Sequence, residues 1–320
     1  MNEKKSRMAK SVLIAATLAT IFWVSAGDLN PPAGPIAPTQ RTPIGASTTP
    51  GDADSLFKIT QPESYYLTGN ITGVSGKSGI EIAAYGVNLD LMGFDLLGVA
   101  DSFAGVRVSV TATSVAVING SVRSWAQDGV DLASANNTRL TDLRVSGNGA
   151  NGIRTGINAI VTGCAAFQNG VGISTGAGCT ITNCAATLNG SGIFADDGST
   201  ITNCLARFNQ GDGIEISANS TVRGNTCGGN GFGGDGAGIH ATGTDNRIEG
   251  NNCTRNDRGI DVDAGGNFIT RNTCSGNDIN WDVATGNVCL VVSAATSAAI
   301  VGNSGGVAPG STDPNANFTY

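Results

Sequence analysis

Six cysteines, Cys164, Cys184, Cys204, Cys227, Cys253 and Cys274, recur along this chain at intervals of 20, 20, 23, 26 and 21 residues. A β-branched residue precedes each one: Val161, Ile181, Ile201, Val222, Ile248 and Ile269. An asparagine follows each one: Asn169, Asn189, Asn209, Asn230, Asn256 and Asn277. A Gly-Ile pair closes the units from Gly172-Ile173 to Gly259-Ile260, and Gly79-Ile80, Gly105-Val106, Gly129-Val130 and Gly152-Ile153 extend the register upstream to about ten repeats. Such a unit cannot bury its apolar face alone, so it must stack on its neighbours.

A period of 20–26 residues fits a leucine-rich repeat or a parallel β-helix. The inward positions are Ile, Val, Cys and Ala with very few Leu, which removes the first. No proline lies between Pro62 and Pro309, so every backbone N–H of that stretch is free to enter a ladder. Short alternating runs such as Ile214-Glu215-Ile216 are broken by Asn or Gly, which accept the left-handed backbone of tight turns. Asparagine amides can also pair from one rung to the next. With 47 Gly and only 13% charged residues, a helical bundle is disfavoured. The expected fold is all-β, a parallel β-helix (solenoid) of about ten rungs stacked at ~4.8 Å.

The flanks read differently. Lys4, Lys5, Arg7 and Lys10 precede an apolar run from Ser11 to Val24 that ends in Ser25-Ala26, so residues 1–26 read as a secretory signal peptide. That run is too short to cross a ~30 Å hydrocarbon core, and no membrane span is expected after its removal. Residues 27–54 hold six of the nine prolines and read as a linker. The solenoid is expected over 55–292, its N-terminal cap from Phe57 to Leu67, and a C-terminal cap or tail over 293–320. The expected location is secreted, periplasmic or cell-surface. Formal net charge is -7 and no basic cluster exists, which excludes a nucleic-acid partner.

The segments Asn225-Thr226-Cys227, Ile248-Glu249-Gly250-Asn251-Asn252-Cys253 and Asn272-Thr273-Cys274, each followed by Asn, carry a resemblance. They are similar to the right-handed parallel β-helix repeat of the pectin-lyase-like superfamily, over roughly residues 55–290. They also resemble exported bacterial repeat proteins without an established activity. The resemblance implies right-handedness and a polysaccharide or cell-surface matrix as partner. It does not extend to the motifs of the polygalacturonase branch. Only Asp196-Asp197 is present, no Arg-x-Lys exists, and Gly238-Ile239-His240 stands where Gly-His-Gly would be needed. The Asp-Pro-His-Asp signature of alginate epimerases is missing as well.

If the Ile of each Gly-Ile points inward, the next residue points out. Glu81, Arg107, Asp131, Arg154, Ser174, Phe194, Glu215, His240 and Asp261 then form one outer column, and Asp196, Ser217, Thr242 and Asp263 a second. Glu215 and Asp261 would stand ~9.5 Å apart with His240 between them, a separation suited to inverting glycoside hydrolysis. Glu215, His240, Asp261 and Asp263 are the catalytic candidates. Phe194, Asp196 and Phe232 are the substrate-binding candidates, with Trp125 and Trp281 as further exposed-ring options. Phe232 lies in a Gly-rich insertion, Gly231 to Ala237, next to this patch. No metal and no cofactor are expected; calcium is the one ion weighed, on Asp261 and Asp263 beside Arg258, or on Gly233-Gly234-Asp235-Gly236. The cysteine ladder reads as buried free thiols filling space, because stacked Cβ atoms point the same way; disulfides between rungs are the alternative. Two functions stay open beside that of a pure scaffold with no ligand. One is an exported module that contacts polysaccharide without catalysis, and the other is a glycoside hydrolase or lyase acting on the outer rung face.

Overall fold

The structure, a computed structural model, describes residues 41–293 and 313–320. The chain divides into residues 1–40 and 41–320, and only the second unit is described. The expected signal peptide and residues 27–40 of the expected linker lie outside the described residues, as does most of the expected tail.

The backbone turns where Asn or Gly interrupts the alternating runs. Asn183 and Asn203 take φ of 54° and 55°, and Gly163, Gly224 and Gly250 hold the same corner in neighbouring rungs. Each such corner separates two short strands, for example Ile160–Thr162 and Ala165–Phe167, and a third strand, Val171–Thr175, completes the rung. Eleven of these third strands, from Ser55–Ile59 to Ile279–Val283, form one parallel sheet. The remaining sides join in a 22-stranded sheet, apart from the separate pair Ala112–Thr113 and Ala135–Asn136. Among the described residues no helix is long and apolar enough to cross a membrane.

The Gly-Ile column is the spine of the core. Ile80, Val106, Val130, Ile153, Ile173, Ile193, Ile214, Ile239 and Ile260 pair in register. Each is at most 1% exposed, and burying such a side chain stabilises by roughly 1.5–3 kcal/mol. Phe57 heads this column and Trp281 ends it. The Trp281 indole N–H donates to Thr319 Oγ1 at 2.6 Å, and Trp125 is 1% exposed with its N–H on the Leu96 carbonyl. Trp125 is therefore core rather than a sugar platform, and Trp281 closes the column.

The asparagines form the ladder that their spacing predicts. From Asn148 through Asn169, Asn189, Asn209, Asn230 and Asn256 to Asn277, each backbone N–H and each Nδ2 donates to the Oδ1 of the next asparagine. This satisfies buried backbone donors at a corner where the strand ladder is broken.

The cysteines differ from the single column expected. Cys164, Cys184 and Cys204 stack beneath Leu143, and the next place in that column is taken by Asn225, whose Oδ1 accepts from the Cys204 N–H. Cys227, Cys253 and Cys274 instead continue the column of Val145, Ala166, Ala186 and Ala206. The two triplets are offset by two residues, and a shift of two keeps both pointing inward. All eight thiols are free, and every one except Cys289 is buried. A neighbouring thiol and burial together push Cys227 well above the ordinary thiol range. A thiol reagent added to the folded protein is expected to modify at most Cys289, and all eight only after unfolding. Rapid reaction of several thiols in the folded state would contradict this packing.

One end is closed by residues that the sequence assigned to the linker, the other by residues of the expected C-terminal cap or tail. Residues 41–54, within the expected linker, are folded: Thr42–Pro43 pairs with Ser64–Tyr66, and Ile44 is 6% exposed against the core. Phe57 to Ile59, expected as a cap, belong to the first strand of the eleven-stranded sheet. At the other end Asn317–Thr319 inserts between Thr273–Ser275 and Val291–Ser293. Asn317 there extends a second amide ladder, Asn225, Asn251 and Asn272.

Candidate active site

The outer column of the eleven-stranded sheet has the register its period implies. Lys58, Glu81, Arg107, Asp131, Arg154, Ser174, Phe194, Glu215, His240, Asp261 and Asp282 follow one another rung by rung. The first members neutralise one another. Glu81, 2% exposed, pairs with Lys58 at 2.8 Å and Arg107 at 3.2 Å, and accepts from Ser109 Oγ. Lys58 also pairs with Asp52 and Arg107 with Asp54, which ties the N-terminal segment to the first rungs.

The last members are organised around the chain's single histidine. His240 Nδ1 lies 3.1 Å from Asp212 Oδ2, and Nε2 lies 3.1 Å from Asp263 Oδ2. Two carboxylates on opposite nitrogens require both ring nitrogens to carry protons, so the imidazolium is the favoured form. The Asp212 hydrogen bond is the main cause that pushes its pKa up to about 9, against the penalty of burial. Glu215 makes no hydrogen bond or ion pair among the described residues; burial, then the Asp212 charge, pushes its carboxyl up. Burial also raises Asp261, which is 9% exposed, while His240 and Arg258 oppose that rise. Arg258 holds Asp235 on the insertion, Asp261 at 3.5 Å and Asp282 at 3.3 Å. Asp235, His240, Arg258, Asp261, Asp263 and Asp282 line an open cleft of ≈ 440 Å³ together with Val262, Val283 and Ala284.

The structure thus brings His240, Asp261 and Asp263 to one cleft and sets Glu215 one rung from His240. The histidine does not contact Glu215 or Asp261 through a hydrogen bond; its two bonds go to Asp212 and Asp263. Phe194 is half-buried beside Glu215 in the same column, and Asp196 is exposed on the same sheet side. Phe232 is not in this cleft. It is 62% exposed and lines a separate cleft of ≈ 340 Å³ with Arg255, Asp257 and Asp278. Asp212 was not reached from the sequence, and Arg258 was reached only as a neighbour of a calcium site on Asp261 and Asp263. Each directly precedes a Gly-Ile pair, and strict alternation from the Ile sends both inward. Their contacts with His240 and Asp282 place them outside, because the intervening glycine breaks the alternation. The signal was the position itself: Asp212-Gly213-Ile214-Glu215 and Arg258-Gly259-Ile260-Asp261 both bracket Gly-Ile with charges.

Among the described residues two groups have donor atoms close enough to share a cation. His240, Asp261 and Asp263 have theirs within 4.8 Å of one another, and so do Asp52, Asp54 and Glu81. The second group is already matched by Lys58 and Arg107.

Because the chain has one histidine, its titration can be followed without assignment. The folded pKa of about 9 lies above the ordinary 6.5, so the stabilisation is fully present below about 6.5 and is lost as pH rises through about 9. Its size is on the order of 3 kcal/mol. Asp212→Asn is expected to return the His240 pKa toward 6.5 in a proton NMR titration and to flatten the alkaline loss of stability. An unchanged titration curve would remove Asp212 as the cause.

The family described as "Right handed beta helix region" matches residues 104–246 and 169–304. This chain belongs to that family. The handedness expected from the repeat resemblance is that of the family, and it is the hand in which parallel crossovers pack. Among solved structures, the right-handed β-helix protein is similar to the A-module of Azotobacter vinelandii mannuronan C-5 epimerase AlgE4. The identity is 17%, covering 74% of this chain and 79% of that one, with a TM-score of 0.59. It is similar also to the AlgE6 A-module of the same organism, at 14% identity over 77% of this chain and 87% of that one, TM-score 0.52. At these identities the likeness is one of fold. No curated protein matches the right-handed β-helix protein by sequence.

Proposed function

We infer that the outer face of the eleven-stranded sheet, from Phe194 to Asp282, binds a polysaccharide. The observation that carries this reading is the row itself. Phe194, Glu215, His240, Asp261 and Asp282 stand on consecutive rungs and end in an open, polar cleft. A linear repeating polymer meets a linear repeating row with many equivalent contacts, and a half-buried ring beside carboxyls offers both stacking and hydrogen bonding. The two structural neighbours named for mannuronan support a glycan partner. Export supports it too: the basic and apolar run of residues 1–26 would deliver the chain to where polysaccharides lie.

The full chain would be passed through a panel of polysaccharides and scored for retention. Asp261→Asn is expected to weaken retention by roughly tenfold, which is the loss of one charge-assisted contact. Retention by no polymer, or retention unaffected by changes along the row, would end this reading.

A second reading, glycosidic bond cleavage, is favoured by Glu215 and Asp261. They are two rungs apart, ~9.6 Å by rung spacing, and burial pushes both upward. One would stay protonated to donate to the leaving oxygen while the other activates water, an inverting arrangement. His240, held by Asp212 and Asp263, would position charge between them. New reducing ends on a retained polymer, lost in Glu215→Gln with the fold intact, would establish it; retention without new ends would leave a binding module. No cofactor is assigned to either reading.

A further inference from the structure

The chemistry of the cleft narrows the class of glycan, an inference that rests on the polysaccharide reading above. Its carboxyls are Asp235, Asp261, Asp263 and Asp282, with Asp212 and Glu215 beside it, and among the described residues the cations that line it are His240 and Arg258. Both cations are already shared. His240 lies between Asp212 and Asp263, and Arg258 serves Asp235, Asp261 and Asp282. Both ring nitrogens of His240 are engaged, and three carboxylates surround the Arg258 guanidinium, so carboxyls outnumber cations in the cleft. No lysine follows Lys77 in the sequence, and Arg154 in the same column stands three rungs before Glu215, ~14 Å away. That exceeds the ~8 Å over which charge is felt at physiological salt.

A second observation concerns Asp261. Its residue is nine-tenths buried, it lines the cleft, and among the described residues it accepts no hydrogen bond; its one partner is the guanidinium at 3.5 Å. A buried carboxyl with open acceptor sites on a cleft wall calls for donors from outside the protein. Asp263, Asp282 and Asp235 on the rim are each more than half exposed and offer further acceptors. We propose that the cleft takes an amino-sugar polymer carrying free ammonium groups and turns away polyuronates. An ammonium brings three donors and a positive charge to a site where carboxyls outnumber cations, whereas a uronate carboxylate would meet like charge at Glu215, Asp261 and Asp282.

The experiment uses the full chain in mildly acidic buffer, where glucosamine amines are protonated. Calorimetric binding is compared for a glucosamine oligomer, the fully N-acetylated oligomer of the same length, and an oligogalacturonate. The oligogalacturonate is run with a chelator and with calcium. The glucosamine oligomer is expected to bind roughly tenfold tighter than its acetylated form, since several exposed ion pairs act together, and the difference should shrink with added salt. The double variant Asp263→Asn, Asp282→Asn is expected to bring the two oligomers within about threefold, by weakening the glucosamine oligomer more than the acetylated one.

Equal binding of the two glucosamine forms would overturn the proposal and leave the polysaccharide reading in place. Tighter binding of the oligogalacturonate, with or without calcium, would overturn it too. A lysine-rich peptide that binds as well as the glucosamine oligomer would reassign the cleft to cations in general. Binding of no glycan at all would remove both this proposal and the reading beneath it.

Discussion

Asn209→Ala is expected to destabilise the protein by about 3–5 kcal/mol, among the largest effects available from a single polar side chain. Asn209 is 0% exposed in the middle of the amide ladder. Its Oδ1 accepts from the Asn189 N–H at 3.0 Å and from Asn189 Nδ2 at 3.1 Å. Its Nδ2 donates to the Ala186 carbonyl and to Asn230 Oδ1. Truncation leaves the Asn189 N–H and the Ala186 carbonyl without these partners at a place water does not reach, and each such group costs about 1–3 kcal/mol. Asn209→Asp should be at least as harmful, because a carboxylate can accept but cannot donate to Ala186 or Asn230. Asn277→Ala, at the half-buried end of the ladder, should cost about half as much. Denaturant unfolding measures the order, and amide exchange at Asn189 should accelerate in the Asn209 variants alone. A loss under ~1 kcal/mol for Asn209→Ala would mean that the ladder decorates the corner without stabilising it.

Gly192→Ala should be comparably damaging, by about 3 kcal/mol or more, through a different cause. A Cβ at Gly192 would overlap the Gly213 carbonyl oxygen of the next rung and would lie 2.8 Å from Asn209 Nδ2. The same two neighbours recur along the column: at Gly172 they are the Gly192 carbonyl and Asn189 Nδ2, and at Gly238 the Gly259 carbonyl and Asn256 Nδ2. The glycine of each Gly-Ile is thus required by the asparagine ladder that crosses above it. Gly69→Ala is the control, since a Cβ there has nothing within 4 Å, and it should stay within ~0.5 kcal/mol of the parent. If the two substitutions cost the same in thermal unfolding, the close approach at Gly192 is not the reason for its residue type.

The repeat was legible because its constraints are local and recur. A small residue beside an asparagine, then an inward Ile, returns each time the chain completes a rung, and the resulting column of Glu215, His240 and Asp261 follows from period-two geometry. The cysteine columns show where such reading slips. The interval from Cys to the ladder asparagine is five residues through Cys204 and three from Cys227 onward. That change marks the move from one inward column to another, but burial direction is unaltered by a shift of two, so hydrophobicity gives no warning. Residues 41–54 were hidden for another reason. Their proline content resembles a linker, yet Pro43 needs no ladder N–H at the edge where it pairs with Tyr66.

Sequence alone determined the architecture: all-β, parallel, with a buried Ile column, a stacked asparagine corner and a charged outer row. Each follows from short-range periodicity, which translation by one rung preserves. Only the tertiary structure decided how the charges are shared. Asp212, His240 and Asp263 come from three successive rungs, and Asp235, Arg258 and Asp282 likewise span three. Their meeting depends on side chains projecting past a glycine break and on where an irregular insertion lays Asp235. Neither quantity is periodic, so no repeat could announce it.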